Sequence, residues 1–326
     1  MTARAVLLPD CGRDVGLGHL ERMLALADAL GADVLACVVL PEGDATVSRR
    51  VSDRGHGVIE LPGGAAERAA TAAASLAADV FVLDGYVFTL DVQRQLRAHA
   101  PLVVVDDLGH PTAADLAVNP SAGGEQIRPH GADAFVGGAG YALLSSAFVL
   151  ARLSVLERGL PPRTALVSSG ATNLLDITAG FVVDVLARDD SVQVLAVLGP
   201  QTVGVGLPDD PRLEVLVAPA GLAGAMARAT VYAGAAGTTA LQAACVGVPA
   251  VITAAVANQQ GPAAALVAAG CAVASEPHNL AEECVRLLDD PQRRDRMAGA
   301  GRGLVDGQGA ARVADRVRRL VRTPAA

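Results

Sequence analysis

Strand-length apolar runs alternate with alanine-rich amphipathic segments of helix length along the whole chain, and this alternation constrains the fold more than any other feature. Runs that are apolar throughout belong to sheets covered on both faces, and parallel sheets are covered by their own crossover helices. The chain therefore reads as α/β. In the first half, strands are expected near Ala5–Leu8, Val34–Leu40, Val58–Leu61, Val80–Leu83, Leu102–Val105 and Leu116–Val118, with helices near His19–Leu30, Ala65–Ala77 and Leu90–His99. In the second half, the runs Thr164–Val167, Val192–Leu198, Leu213–Val217, Val231–Ala233, Ala250–Thr253 and Ala272–Ala274 play the same part, separated by helices at Leu174–Arg188, Thr238–Val246 and Gln260–Ala269. Pro291–Met297 and Gly309–Arg322 also read as helical, the last with Arg312, Arg316, Arg318, Arg319 and Arg322 on a mostly polar, solvated face.

A chain of 326 residues exceeds what one core usually organises, since domains commonly run to about 100–200 residues. The segment Ala151–Arg163 ends in Gly159-Leu160-Pro161-Pro162, an expected extended connector that can neither continue a helix nor join a sheet interior. The expected division is residues 1–155 and 156–326, with the last helix packing back on the first domain. Two tandem Rossmann-like domains with a short linker and a cleft between them describe the GT-B architecture, which hosts many chemistries and assigns none.

Composition removes several classes. A net charge of −8 leaves no broad positive field for nucleic acid, so a bound phosphate is expected on backbone amides and a few local side chains. Five scattered cysteines with no CxxC pair indicate neither a disulfide framework nor a zinc site. No stretch approaches the roughly 20 apolar residues of a membrane span, and the apolar run that ends at Pro9 is too short for a signal segment. A cytoplasmic protein, monomeric or weakly dimeric, is expected.

Four constellations carry chemistry. The first, Asp10-Cys11-Gly12-Arg13-Asp14-Val15-Gly16-Leu17-Gly18-His19-Leu20-Glu21-Arg22, joins the first strand to the first helix, at the sheet edge where open α/β folds bind ligands. Gly16 and Gly18 permit a tight turn, and His19 would stand at a helix N-terminus as a candidate general base. The second is Asp84-Gly85-Tyr86 after one strand and Asp106-Asp107 after the next, carboxylates that would line the same edge and orient His19 or bind sugar hydroxyls. No ExxH or HxH spacing accompanies them, so neither a metal nor a cofactor is expected. His56, His99, His110, His130 and His278 read as ordinary surface residues.

The third constellation, Ala233-Gly234-Ala235-Ala236-Gly237-Thr238-Thr239-Ala240-Leu241-Gln242, again leaves a strand and opens a helix, a turn whose free amides suit a diphosphate. It is neither a Walker loop nor a dinucleotide fingerprint. The fourth is Ser168-Ser169-Gly170-Ala171-Thr172-Asn173, joined by Asn258-Gln259 beyond a later strand. There is no GxSxG elbow, so a serine hydrolase is not indicated.

In order along the chain, these blocks resemble the UDP-sugar hydrolase family of pseudaminic acid biosynthesis and its relatives in spore-coat polysaccharide synthesis, themselves similar to family 28 glycosyltransferases. Gly16-Leu17-Gly18-His19-Leu20-Glu21-Arg22 looks like the family's Gly-x-Gly-His-x-x-Arg loop, and Asp84-Gly85-Tyr86 and Asp106-Asp107 look like its acidic strand ends. Tyr141-Ala142-Leu143-Leu144, Gly234–Thr239 and Asn258-Gln259 look like further family blocks. The resemblance implies a GT-B fold, a nucleotide held on the C-terminal domain, and His19 as the base that activates the water replacing UDP on a modified amino sugar. Departures are Leu8 for an Arg, Gly12 for a Ser, Ser145 and Ala147 at charged positions, and Gln242 where relatives use Glu to hold ribose.

The expected activity is thus nucleotide-sugar hydrolysis, releasing UDP or another nucleotide, with His19, Asp10 and Asp14 as catalytic residues. Gly16, Gly18, Arg22, Asp84, Tyr86, Asp107 and Tyr141 are the expected sugar contacts. Ser169, Gly170, Thr172, Asn173, Gly234, Gly237, Thr238, Thr239, Gln242, Asn258 and Gln259 are the expected nucleotide contacts. The alternatives are a GT-B glycosyltransferase with a small-molecule or glycan acceptor, since the same base serves an alcohol or amine, and a non-catalytic nucleotide-sugar binding protein.

Overall fold

Successive residues of a strand point to opposite faces of its sheet, and in the first strand both sets are buried. Ala5 and Leu7 enter one core while Val6 and Leu8 enter another, so helices must cover the sheet on both sides. The computed structural model describes residues 2–11, 17–159, 163–168, 175–199 and 206–322, with the backbone alone of Leu175 and Asp176. It divides into two compact units, Met1–Ser145 with Gln308–Ala326, and Ser146–Gly307.

In unit 1 the order is β1 (Ala3–Pro9), α1 (Gly18–Leu30), β2 (Val34–Pro41), α2 (Ala45–Ser52), β3 (Gly57–Leu61), α3 (Ala65–Ser75), β4 (Val80–Asp84), α4 (Leu90–His99), β5 (Leu102–Val105), β6 (Leu116–Asn119) and β7 (Ala134–Gly137). Unit 2 runs α5 (Ala147–Arg158), β8 (Thr164–Ser168), α6 (Leu175–Arg188), β9 (Gln193–Leu198), β10 (Leu213–Val217), α7 (Ala223–Ala227), β11 (Val231–Ala235), α8 (Thr238–Val246), β12 (Ala250–Thr253), α9 (Gln260–Ala268), β13 (Ala272–Ala274), α10 (Leu280–Leu288) and α11 (Pro291–Leu304). The chain then returns to unit 1 as α12 (Gly309–Arg322).

Both sheets are doubly wound and every strand pair is parallel, in the orders β3-β2-β1-β4-β5-β6-β7 and β10-β9-β8-β11-β12-β13. The winding reverses between β1 and β4 in the first sheet and between β8 and β11 in the second. At such reversals the loops leaving the strand ends diverge and open a crevice for ligand. Asp10 and Asp84 stand at the first reversal, Ser168 and Gly234 at the second.

From sequence, Ala151–Arg163 is expected to be an extended connector, but the backbone is helical through Arg158. Phe148, Ala151 and Val155 recur at helical spacing and bury one face of α5, which packs on α7 and α8 and belongs wholly to unit 2. The α12 helix has two characters. Val313, Ala314 and Val317 are fully buried beside Leu20, Met23 and Leu24 of α1, while Arg318 Nη2 donates to the carbonyl oxygens of Ala29 (2.6 Å) and Leu30 (3.0 Å). It thereby satisfies acceptors that the C-terminus of α1 leaves open.

Candidate active site

The carboxyl end of β4 places a buried carboxylate, 0% exposed at Asp84, against the first turn of α1. Arg22 grips it bidentately, Nε to Oδ2 at 2.9 Å and Nη2 to Oδ1 at 2.6 Å, the geometry that makes a guanidinium the preferred buried partner. The remaining Arg22 nitrogen, Nη1, donates to Asp107 Oδ2 at 3.0 Å, and Tyr86 Oη donates to Asp107 Oδ1 at 2.5 Å. His19 and Arg22 share a face of α1 because they lie three residues apart.

His19 Nδ1 lies 2.7 Å from Asp84 Oδ1 and 2.7 Å from Arg22 Nη2. A carboxylate only accepts, and Arg22 Nη2 already points a hydrogen at it, so the consistent tautomer has Nδ1–H donating to Asp84. Nε2 is then left with its lone pair, as in hydrolase triads where a carboxylate orients an imidazole. The Tyr86 ring meets the imidazole edge-on, with centroids 5.2 Å apart and planes at 84°.

Electrostatics sort these groups. Burial works against the charge of Arg22, but Asp84 and Asp107 outweigh it and hold the guanidinium protonated above its ordinary range. Burial pushes the Tyr86 phenol up, and the neighbouring Asp107 charge adds to the rise. Burial would also raise Asp107, yet the Arg22 charge and the hydrogen bonds from Tyr86 and Arg22 prevail and hold it below the usual carboxylate range. Asp10 goes the other way: burial raises it, and His19 and Arg68 only partly offset that. Its side chain has no hydrogen-bond partner among the described residues, while its backbone N–H donates to Asp84 O at 2.7 Å. Burial lifts the adjacent Cys11 thiol to about 11, so it is no thiolate at neutral pH.

The two shifted aspartates have opposite linkage. A depressed carboxyl contributes stability that is complete above its unfolded value of about 3.9 and is lost as pH falls through the lower folded value. A raised one imposes a cost at pH above its folded value, and that cost vanishes below the unfolded value. Asp107→Asn is therefore expected to be less stable than the parent at neutral pH, the gap narrowing below about pH 4. Asp10→Asn is expected to be more stable at neutral pH, the gain disappearing on the way down to about pH 4. Urea midpoints of the three proteins across the acid range check both signs.

The other expected residues fall out as follows. Gly18 is the first residue of α1, but a side chain there would meet open space, so none of the described neighbours requires a glycine. Asp106 is a loop cap, accepting from Leu108 N (2.8 Å) and His110 N (2.6 Å), whereas Asp107 joins the Arg22 cluster. Tyr141 packs against the core shared by α1 and α12, and among the described residues nothing ties it to His19. Asp14, Gly16, Ser169, Gly170, Thr172 and Asn173 lie outside the described residues. Two features were not anticipated. His110 Nδ1 stands 3.3 Å from Asp106 Oδ2 and its ring centroid 6.0 Å from that of Tyr86. Arg68, an interruption in the alanine face of α3, is buried and donates to Gly63 O at 2.6 Å.

On unit 2, Gly234 has φ 154°, and a Cβ there would run into the Ser168 carbonyl oxygen and the Tyr232 hydroxyl. The buried Tyr232 hydroxyl bridges Ser168 O and Ala235 O at 3.0 Å each, fixing the two strand ends. Gly237 is the extended N-cap of α8 and offers no capping side chain, so amides of the first turn stay available to an anion. Gln259 Oε1 accepts from Ala255 N at 3.0 Å, which leaves its Nε2 donor 3.8 Å from where a Cβ of Gly237 would stand. Gln242, further along α8, keeps a buried Oε1 with no partner among the described residues, and Asn258 is exposed in a 3₁₀ turn. Among the described residues no group of three or more His, Cys, Asp or Glu side chains could hold a metal ion, and no helix is long and apolar enough to cross a membrane.

No protein-family model matches the chain, and no curated protein matches it by sequence. Solved structures match over nearly its whole length. Spinosyn forosaminyltransferase SpnP is 16% identical with a TM-score of 0.69, the match covering 99% of this chain and 100% of that one. MurG of Acinetobacter baumannii is 16% identical with a TM-score of 0.65, over 98% and 100%. MnaA of S. aureus, solved with UDP, is 12% identical with a TM-score of 0.66, over 98% and 96%. The fold is GT-B. Identities this low carry the fold and no more.

Within this GT-B chain the two switch points differ in chemistry: unit 1 offers an imidazole held by a carboxylate and a guanidinium, unit 2 a glycine turn and an uncapped helix start. Because Gly234 sits where an L side chain is strained and meets backbone, Gly234→Ala is expected to cost about 1–3 kcal/mol, which thermal unfolding checks.

Proposed function

We propose that the chain is a nucleotide-sugar enzyme that transfers a sugar from a nucleoside diphosphate donor to a hydroxyl or amine acceptor. The observation that carries this reading is the His19–Asp84 contact at 2.7 Å, with Asp84 locked by Arg22. Such an imidazole is oriented to take a proton from a nucleophile at Nε2. In the proposed step the acceptor oxygen or nitrogen attacks the anomeric carbon, the carbon–oxygen bond to the diphosphate breaks, and the acceptor proton passes to His19 Nε2. The departing diphosphate gains a negative charge, which the amides opening α8 and the Gln259 amide would stabilise. Asp107 would accept from a donor-sugar hydroxyl with the lone pairs that Arg22 and Tyr86 leave open, Asp10 would add a second titratable group beside His19, and Gln242 Oε1 would accept from the nucleotide. Ser169, Gly170, Thr172 and Asn173 are the remaining proposed nucleotide contacts. Transferases among the similar structures, and one neighbour solved with UDP, favour this reading.

Hydrolysis of the donor is the second reading. It is favoured by the Gly-x-Gly-His-x-x-Arg loop of the family resemblance, whose His19 and Arg22 meet on Asp84. The same base would then take a proton from water. Turnover of one donor with and without acceptor alcohols and amines, followed by mass spectrometry, separates the two. Glycosylated acceptor that forms in preference to free sugar supports transfer. Free sugar at an acceptor-independent rate supports hydrolysis and sinks transfer.

A further inference from the structure

The edge of unit 1 that carries His19 also carries a group of apolar side chains turned to solvent. Tyr86 is 42% exposed, Val87 46%, Leu108 38% and Ile127 36%. They are contiguous. Tyr86 lies edge-on to His19 on one side and to His110 on the other, Val87 follows it in the chain, and the Ile127 Cγ2 methyl lies over Gly109, between Leu108 and His110, so closely that a Cβ on Gly109 would stand 2.6 Å from it. Gly109 has φ 76°, and the segment around it is held by Asp106, which accepts from the backbone of both Leu108 and His110. The surface is thus fixed in place before any ligand arrives.

The polar groups beside it are already committed. Arg22 spends its guanidinium on Asp84 and Asp107, and the Tyr86 hydroxyl is bonded to Asp107. A sugar acceptor, which must exchange many hydrogen bonds with water for bonds to protein, would find few partners here. An apolar molecule would cover large side chains that now face water, and exposed apolar patches beside a reactive group commonly mark ligand grooves.

We propose that this surface binds an apolar small-molecule alcohol, which presents its hydroxyl to His19 as the acceptor of the transfer; the acceptor role rests on the reading above, the binding surface does not. The test uses 2-naphthol as probe and the full chain. With no tryptophan and three tyrosines in the protein, binding can be followed by the fluorescence of the naphthol itself. Saturable binding is expected, unaffected by methyl glucoside. The double variant Leu108→Asn/Ile127→Asn is expected to weaken it about tenfold or more. Leu153→Asn, at an exposed apolar position of α5, is expected to leave it unchanged.

Absence of binding, or equal loss in Leu153→Asn, overturns the proposal. So does a concentration-dependent dimer that binds no naphthol and that the double variant dissolves, because a second copy of the chain would then be the occupant. Offering donor together with naphthol or methyl glucoside separates this inference from the parent reading. Naphthol bound at the surface with no donor consumed supports the surface and counts against transfer. Transfer to methyl glucoside with naphthol inert keeps transfer and overturns the apolar acceptor.

Discussion

Arg22→Met is expected to lower the free energy of unfolding by about 3–5 kcal/mol, the range for removing one partner of a buried ion pair. Asp84 is fully buried and takes two of its bonds from Arg22; Asp107 takes one more. Methionine fills similar volume without charge, so the substitution leaves two carboxylates close together with no cation between them. The cost should therefore exceed that of an ordinary core truncation of the same size. Chemical denaturation at neutral pH measures it, and a loss below about 1 kcal/mol, the usual scale of a surface pair, would show that the cluster is solvated. Arg22→Lys is expected to recover only part of the loss, because an ammonium cannot reproduce the bidentate grip on Asp84 together with the bond to Asp107.

His19→Gln is expected to act almost entirely on turnover, with a decrease of about 10²- to 10⁴-fold, the contribution of a positioned general base. Glutamine keeps a donor for Asp84 but has no group that takes up a proton near neutral pH. Since Arg22 alone still pairs Asp84, the fold should tolerate the change. Thermal unfolding within a degree or two of the parent, a shift too small to reflect lost core packing, together with the drop in rate, would separate a catalytic role from a structural one. Asp84→Asn offers a complementary readout. It can hold the imidazole in the other tautomer, with Nε2 protonated, and so should slow turnover while the ring stays in place.

Much of this was legible in the chain because apolar runs report burial directly. Ala5–Leu8 of β1, Val80–Leu83 of β4 and all of β5 are buried on both faces and read as unbroken hydrophobic segments. Asp84 at the end of β4 and Asp106 and Asp107 after β5 fall at one edge for a simple reason: strand ends in a parallel sheet share it. What strand position does not give is direction. Asp106 and Asp107 are neighbours, yet one turns back to cap its own loop and the other reaches Arg22, a choice made by loop dihedrals. The Arg22–Asp84 contact spans 62 residues and exists because β1 and β4 are adjacent, with Pro9 level with Asp84.

Several elements missed from sequence have partial burial or conflicting signals; α7 is only five residues long, and α10 was missed although Leu280, Ala281, Cys284, Leu287 and Leu288 recur at helical spacing. The α2 segment buries only Val47 and Val51, and β7 is a short edge strand with a single buried residue. In α5 the Gly-Pro-Pro sequence that follows the helix outweighed the spacing of Phe148, Ala151 and Val155. The motif at Tyr141 gives no sign of how that residue packs. Its neighbours include the start of α12, where a side chain on Gly309 would strike the backbone of Tyr141 and Ala142, a packing partner more than 160 residues away that no local pattern reveals. His110 is exposed, as expected of a surface residue, and the available signal for its contact with Asp106 is their spacing of four.

The most direct test of the central claim is the release of nucleotide from UDP-, CMP-, GDP- and TDP-sugars, with and without acceptor alcohols, by the parent protein and by His19→Gln, followed chromatographically. Consumption of at least one donor by the parent, slowed about 10²- to 10⁴-fold in the variant at matched thermal stability, is the predicted result. A parent that consumes no donor under any of these conditions, or a variant as fast as the parent, would contradict the account.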